Sequence, residues 1–306
     1  MTRENKTILV AGATGTQGRP TVAWLLRDGW SVRALVRDRT TAAAQELAGK
    51  GAELAVGDFD EERTLAAALR RAHGLFAIPP VDYGETGWDT DREYGRGKRI
   101  VDLAADSGVR HIVFSTIATT TGPGLPGSSG KRRIEEALGG SGVTFTVLRP
   151  VRFMENYLLS GTPVDGLRKG VHRHLFHPDG RMQIIAVEDV AVFAGMAFAE
   201  PETYGGMLLE LAGDEPTPVE AAARISNAID GSVRYERVSK SEAEALGPEI
   251  ARVWNLWEEG HSWRADIPRL RELHPGLKTL DDWLESGGSA DIARLEGQRG
   301  PVPGRR

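Results

Sequence analysis

Three glycines at positions 12, 15 and 18 are spaced for close contact between backbone and a ligand. They follow an apolar run, Ile8 to Ala11, and precede a helical pattern carried by Val22, Leu25 and Leu26. A strand, a glycine turn and a helix in that order present backbone N–H groups and a helix N-terminus to a pyrophosphate. In this reading Gly12 permits the tight turn, Gly15 leaves room for the phosphates and Gly18 lets the helix pack on the strand. Thr14, Thr16 and Gln17 complete the turn as cofactor-binding candidates. Arg37 directly follows the apolar run 31–36. An acidic residue there takes the ribose 2′-hydroxyl of NAD, whereas a guanidinium offers its planar fork to the 2′-phosphate of NADP. Arg39 could assist, and Asp38 keeps the ribose-hydroxyl alternative open. The expected ligand is a dinucleotide, NADP in preference to NAD.

Other side chains could carry proton chemistry. His172, His174 and His177 invite a metal reading, since His172 and His174 share a face of an extended segment. Asp179 alone adds a carboxylate at ligand spacing, and no metal is expected. One of these histidines could serve as an acid. Tyr157 is a second candidate proton donor, its alternative being a packing residue. Trp254, Trp257, Trp263 and Trp283 read as core, or as the wall of a site for a flat, apolar substrate.

The elements that must position these groups alternate. Strands are expected at 7–11, 31–36, 53–56, 74–78, 110–115 and 143–149, each a short run rich in Val, Ile and Leu. Helical patterns fall at 18–28, 40–49, 61–71, 92–107 and 129–139, with Gly29 and Gly108 as C-terminal stops. This is an α/β doubly wound parallel sheet of Rossmann type, with ligands at the carboxyl ends of its strands. After Pro150 the alternation weakens, and 161–183 reads as irregular. A strand-then-helix unit returns at 183–199 and a strand at 207–211, with helices at 217–229, 241–259 and 279–286.

Composition bounds the remaining classes. The chain has 306 residues, 40% hydrophobic and 26% charged, enough for one large core or two joined ones. A net charge of −5 gives no basic excess for nucleic acid. The absence of cysteine rules out disulfides, thiolate metal sites and cysteine nucleophiles. The polar start and the lack of an 18-residue apolar run point to a cytoplasmic protein without a membrane anchor.

Several motifs together resemble the NmrA-like proteins, atypical members of the short-chain dehydrogenase/reductase superfamily. They are Gly-Ala-Thr-Gly-Thr-Gln-Gly (12–18), Leu-Val-Arg-Asp (35–38), Gly-Asp-Phe-Asp (57–60), Lys131 with Glu135 and Glu136, Leu-Arg-Pro (148–150), Phe-Met-Glu-Asn (153–156) and Val-Glu-Asp-Val (187–190). Arg19 departs from the pattern, where the family often has another glycine. The resemblance implies an NADP-binding domain over 1–160, completed by 183–212. It also implies a smaller α/β substrate or lid domain over 161–296 that closes over the nicotinamide. Residues 297–306 are expected to be a disordered tail.

The resemblance assigns roles residue by residue. Asp58 accepts from the adenine amino group with Phe59 alongside, and Ile78 and Pro79 pass the cofactor's ribose. For the helix cap ahead of Glu61, Asp60 is the better-suited acid. Ser115 stands where the superfamily places a catalytic serine, although its hydroxyl could equally serve local backbone. The superfamily catalyst is Tyr-x-x-x-Lys on the helix after the fifth strand. Lys131 occupies the lysine position as a cofactor-holding residue, but Gly127 stands where the tyrosine would be. Tyr94 and Lys98 fit the spacing on the preceding helix and are read as a decoy. The family it resembles mixes quinone and double-bond reductases with redox-sensing proteins, and the first expectation is NADPH-dependent reduction of a small organic acceptor such as a quinone, enone or imine. Two alternatives remain: a non-catalytic NADP(H)-sensing regulator with a protein partner, or a pathway enzyme using the cofactor for a non-redox step. A homodimer is also compatible.

Overall fold

The Val-, Ile- and Leu-rich runs pair edge to edge because, buried on both faces, each satisfies its backbone only through its neighbours. In the computed structural model, which describes residues 3–84 and 87–297, these strands are β1 (Thr7–Ala11), β2 (Ser31–Val36), β3 (Glu53–Val56), β4 (Gly74–Ala77), β5 (His111–Ser115), β6 (Thr144–Pro150) and β7 (Leu208–Leu211). They form one parallel sheet in the order β7-β6-β5-β4-β1-β2-β3. The winding reverses between β1 and β4, the switch point where a doubly wound sheet opens a crevice at its carboxyl edge.

The crossovers are α1 (Gly18–Arg27), α2 (Ala42–Gly49), α3 (Glu62–Leu69), α4 (Thr90–Asp106), α5 (Ser128–Gly140) and α6 (Val187–Ala199). Helix α6 packs on α1 through Gly195, whose added Cβ would stand 2.4 Å from Trp24 Nε1. Helix α4 packs on α3 and α5, and at Gly97 a Cβ would meet Ile134 at 2.4 Å. Leu9, Leu65, Leu75, Ile100, Phe114 and Ile134 fill the core on this second face. Gly108 ends α4 with φ of 71°, a left-handed stop that an L side chain adopts with strain.

These elements make one compact unit: the chain through Ala118, Pro126–Pro150 and Val187–Leu211. Thr119–Leu125, Val151–Ala186 and the chain from Ala212 make the second. There Leu167–Arg168 pairs antiparallel with Val171–His174, which pairs parallel with Arg234–Arg237. Arg152–Phe153 pairs with Ile184–Ile185. Helices occupy Pro218–Ala228, Lys240–Ala245, Pro248–Glu258, Ile267–Leu273, Leu280–Trp283 and Ser289–Gly297.

The second unit departs from expectation in several places, the unexpected strands Arg152–Phe153 and Arg234–Arg237 among them. Residues 161–183 are mostly irregular, as expected, but hold two short strands, Leu167–Arg168 and Val171–His174. The helix expected over 241–259 is two, divided at Gly247 with φ of 122° and restarted by Pro248. Helices at Ile267–Leu273 and Ser289–Gly297 had no expected counterpart. Beyond Gly297, the expected tail lies outside the described residues.

Candidate cofactor site

The glycine turn divides its labour unevenly. A Cβ on Gly18 would lie 2.1 Å from the Gly12 carbonyl oxygen and 2.7 Å from Ala13 Cα, so the turn itself demands glycine there. Gly12 has φ of 88°, and a Cβ there would stand 3.0 Å from the Ile78 carbonyl oxygen, which fixes glycine again. Gly15 is exposed, and its Cβ would make one tight contact, 3.3 Å to the Gly12 oxygen. Its N–H closes the turn onto that same oxygen at 3.0 Å. The N-cap of α1, Gln17, makes no side-chain cap bond to the helix. Instead its Oε1 accepts from the Ser115 hydroxyl at 2.6 Å, tying the end of β5 to the turn. The Arg19 N–H is spent on the Gly15 carbonyl at 3.1 Å and the Thr21 N–H on that of Gln17 at 3.2 Å, and Pro20 has none. Within the first turn of α1 it is the Gly18 N–H that keeps no backbone acceptor among the described residues, with positive helix dipole behind it.

At the neighbouring strand end the charges sort themselves. Arg37 is exposed and has no side-chain partner among the described residues. Asp38, the competing acid, spends Oδ1 on the Thr40 N–H and hydroxyl, both at 2.7 Å. The Thr40 backbone bond, followed by its hydroxyl, holds the Asp38 carboxyl below its ordinary value. Asp58 likewise closes its own turn, Oδ1 accepting from the Asp60 N–H at 2.8 Å. Phe59 is buried in the core, and its carbonyl accepts from Arg99 at 2.7 Å. Ile78 is half-buried behind Gly12, with its N–H on the Ala11 carbonyl at 3.2 Å, and Pro79 is buried beside it.

Asp60 corrects the capping expectation. Glu61 holds the N-cap position of α3, with no side-chain cap bond. Asp60 instead takes the buried Arg96 guanidinium at 2.6 and 2.8 Å and Arg92 at 2.8 Å. Arg96 holds its carboxyl well below the usual range. The same Arg96 reaches Asp82 at 2.9 Å and the Pro80 carbonyl at 3.1 Å. One face of α4, through Arg92, Arg96 and Arg99, thus fastens the loops after β3 and β4 that carry Asp58, Phe59, Ile78 and Pro79.

The other face of α4 meets Lys131. Its ammonium pairs with Glu93, whose side chain is 1% exposed against 20% for the lysine. Burial pushes the Glu93 carboxyl up in spite of the lysine. Ser115 is buried with its hydroxyl on Gln17, and the adjacent Thr116 donates to Glu135 at 2.7 Å. Tyr94 lies under the Arg133 guanidinium at 3.9 Å, while Lys98 pairs with Asp102 at 2.6 Å. The Tyr94–Lys98 spacing therefore brings no two groups into a shared site. Sequence reasoning passed over Glu93 and Arg96.

Tyr157 belongs to a sealed network in the second unit. It is fully buried, its hydroxyl finds no acceptor among the described residues, and burial pushes the phenol up. Arg152 lies over its ring at 4.3 Å and pairs with Asp165. Asn156 donates to Asp165 at 2.9 Å. His172 and His174 project to one side as their spacing implies, with Nε2 atoms 3.6 and 3.7 Å from Asp165. Burial pushes His174 down to about 3 and lowers His172 too, so both are neutral near pH 7 and neither is poised as an acid. Among the described residues no group of three metal-ligating side chains forms a site. No helix among them is long and apolar enough to cross a membrane.

A parallel sheet in this order, with a glycine turn opening α1 at the switch point, defines a protein of Rossmann type. The sequence profile of the NmrA-like family matches residues 4–259, and the chain belongs to that family. It is 28% identical over 244 residues to an NAD(P)H azoreductase of Xenophilus azovorans, covering 78% of this chain and 79% of the relative. It is 31% identical over 242 residues to a (4-alkanoyl-5-oxo-2,5-dihydrofuran-3-yl)methyl phosphate reductase of Streptomyces griseus, covering 77% and 78%. Among solved structures it resembles the NADPH complex of quinone oxidoreductase 2 from Escherichia coli, with TM-score 0.72, 24% identity and coverage of 91% and 99%. It also resembles NmrA, a negative transcriptional regulator, in complex with NADP, with TM-score 0.75, 19% identity and coverage of 97% and 98%. At those identities the structures establish the shared fold.

Proposed function

We propose that this chain is an NADPH-dependent oxidoreductase acting on a small conjugated acceptor of the quinone, enone or imine kind. The observation that carries the reading is the pairing of an open turn with an unspent cation. Gly15 and Thr16 are exposed in the turn that leads into α1, and Arg37, at the end of the adjacent strand, has no internal partner among the described residues while Asp38 does. A phosphate-bearing dinucleotide fits both. Gly12, Thr14, Gly15, Thr16, Gln17 and Gly18 would hold the pyrophosphate, Arg37 the 2′-phosphate, and Asp58, Phe59, Ile78 and Pro79 the adenosine side. Lys131 would hold the nicotinamide ribose. When bound, the cofactor supplies a hydride to the acceptor.

Ser115 acts in this reading by fixing Gln17. Tyr157, sealed in its own unit, is assigned a structural role, and the proton follows from water. Conjugated acceptors suit such a site, because hydride addition to them needs orientation more than a dedicated acid. The named substrates of the azoreductase and the dihydrofuranone reductase fall in that chemical class. The sealed Tyr157 hydroxyl also favours a second reading, an NADP(H)-sensing protein without turnover. A screen of NADPH oxidation over quinones, azo dyes, enones and aldehydes separates the two. Oxidation with a quinone or enone, and little with aldehydes, is expected. No oxidation with any acceptor, together with different affinities for NADPH and NADP⁺, would overturn the enzyme reading in favour of the sensor.

A further inference from the structure

Helix α4 carries an acid where an apolar residue belongs. Glu93 lies in line with Gly97, Ile100 and Ala104, the buried stripe that α4 turns toward its neighbours. Its side chain has 1% exposure, and Oε1 takes the Lys131 ammonium while Oε2 has no hydrogen-bond partner. A buried carboxylate with one orphaned oxygen is costly, and an apolar residue of similar volume would ordinarily serve stability as well. The helices are also shaped around it. Gly130, one residue before Lys131, has no room for a side chain: a Cβ would stand 2.6 Å from the Thr90 carbonyl oxygen and 2.9 Å from Glu93 Oε2. Glycine is a poor helix former, and here it lets α5 lie directly on the carboxylate.

We infer that Glu93 is a positioning residue that holds Lys131 ready for the cofactor ribose. This rests on the assignment of Lys131 to NADPH made above. A lysine has four rotatable bonds and loses much rotamer freedom when it binds. A fixed buried acceptor removes that freedom before the ligand arrives, leaving the 20% exposed side of Lys131 to the ligand. The asymmetry is what positioning requires: the acid is sealed and the cation remains accessible.

The test is NADPH affinity by titration, with thermal stability followed in parallel, for Glu93→Met, Glu93→Gln, Lys131→Ala and the double variant Glu93→Met/Lys131→Ala. Glu93→Met fills the space without an acceptor and should fold, yet bind NADPH about tenfold more weakly. Glu93→Gln retains an acceptor and should recover part of that loss. In the double variant the affinity should match Lys131→Ala within about twofold, because Glu93 acts only through the lysine. Its stability should nevertheless exceed that of Lys131→Ala, since no buried carboxylate is stranded. A purely structural role predicts instead that affinity tracks stability across the set. Wild-type affinity in Glu93→Met, or losses that multiply in the double variant, would overturn the inference. Wild-type affinity in Lys131→Ala would overturn the placement of Lys131 itself.

Discussion

Each unit buries an ion pair, and the two pairs differ in which partner can reach solvent. In the first unit Glu93 is sealed while Lys131 keeps 20% of its side chain exposed. In the second, Arg152 is sealed at 3% and Asp165 keeps 13%, but the carboxylate oxygens are taken internally by Arg152, Asn156 and the Gly166 N–H, beside Tyr157, His172 and His174. Burial pushes the Asp165 carboxyl up, but the Arg152 guanidinium beside it outweighs burial and holds it well below the usual range. An enclosed pair has its charges spent on each other and serves the fold. A pair with an open cation can exchange part of its interaction for a ligand. Buried charge alone therefore does not mark a site; the accessible side of the pair does.

The largest effect should come from breaking the enclosed pair. Asp165 has φ of 71°, a conformation asparagine tolerates, and Asn can still accept from the Gly166 N–H that now bonds to Oδ1 at 2.9 Å. Asp165→Asn thus removes charge with little backbone strain and leaves Arg152 buried without its counter-ion. The loss should be about 3–5 kcal/mol in urea unfolding. A loss under about 1 kcal/mol would show that the pair is not enclosed in solution.

Opening the other pair should cost less and depend on pH. Lys131→Ala strands Glu93, a loss of roughly 1–3 kcal/mol, limited because the carboxyl can take up a proton. The Glu93 carboxyl is already raised by burial, and without Lys131 it should rise further. The folded state then binds the proton more tightly than the unfolded state, so stability is retained below the unfolded carboxyl range. It is lost as pH rises through the folded value. Relative to Glu93→Met/Lys131→Ala, the single variant should be less stable at about pH 8 than at about pH 5. A deficit that grows toward acid would contradict this. At the small end, Tyr94→Phe should change stability and NADPH affinity by less than about 0.5 kcal/mol. A larger loss in affinity would return Tyr94 to the site.

The same contrast explains what could be read from the chain. Strands β1 to β6 fall within a residue of expectation because parallel strands buried on both faces are continuous apolar runs, and Gly29 and Gly108 mark the helix ends. The second unit was opaque because Val171–His174 puts two histidines into its interior, where an apolar pattern was sought. Gly247 and Pro248 break one long helical pattern in two. Glu93 was hidden among the charges of Asp91, Arg92 and Arg96, beside the eye-catching Tyr94 and Lys98. Its register with Gly97, Ile100 and Ala104 was the available signal. Arg96 was missed for a physical reason: its partners, Asp60 and Asp82, lie on separate loops that only the sheet order brings to one helix.

The central claim is that the open turn and the unspent Arg37 together read a phosphorylated dinucleotide. Calorimetric titration of NADPH and NADH into the wild type and Arg37→Ala tests it most directly. The wild type should prefer NADPH. The variant should lose about 10- to 100-fold in NADPH affinity, as expected for a charge-assisted hydrogen bond of about 1.5–3 kcal/mol, and bind NADH almost unchanged. Equal losses for the two cofactors, or none for either, would contradict the account.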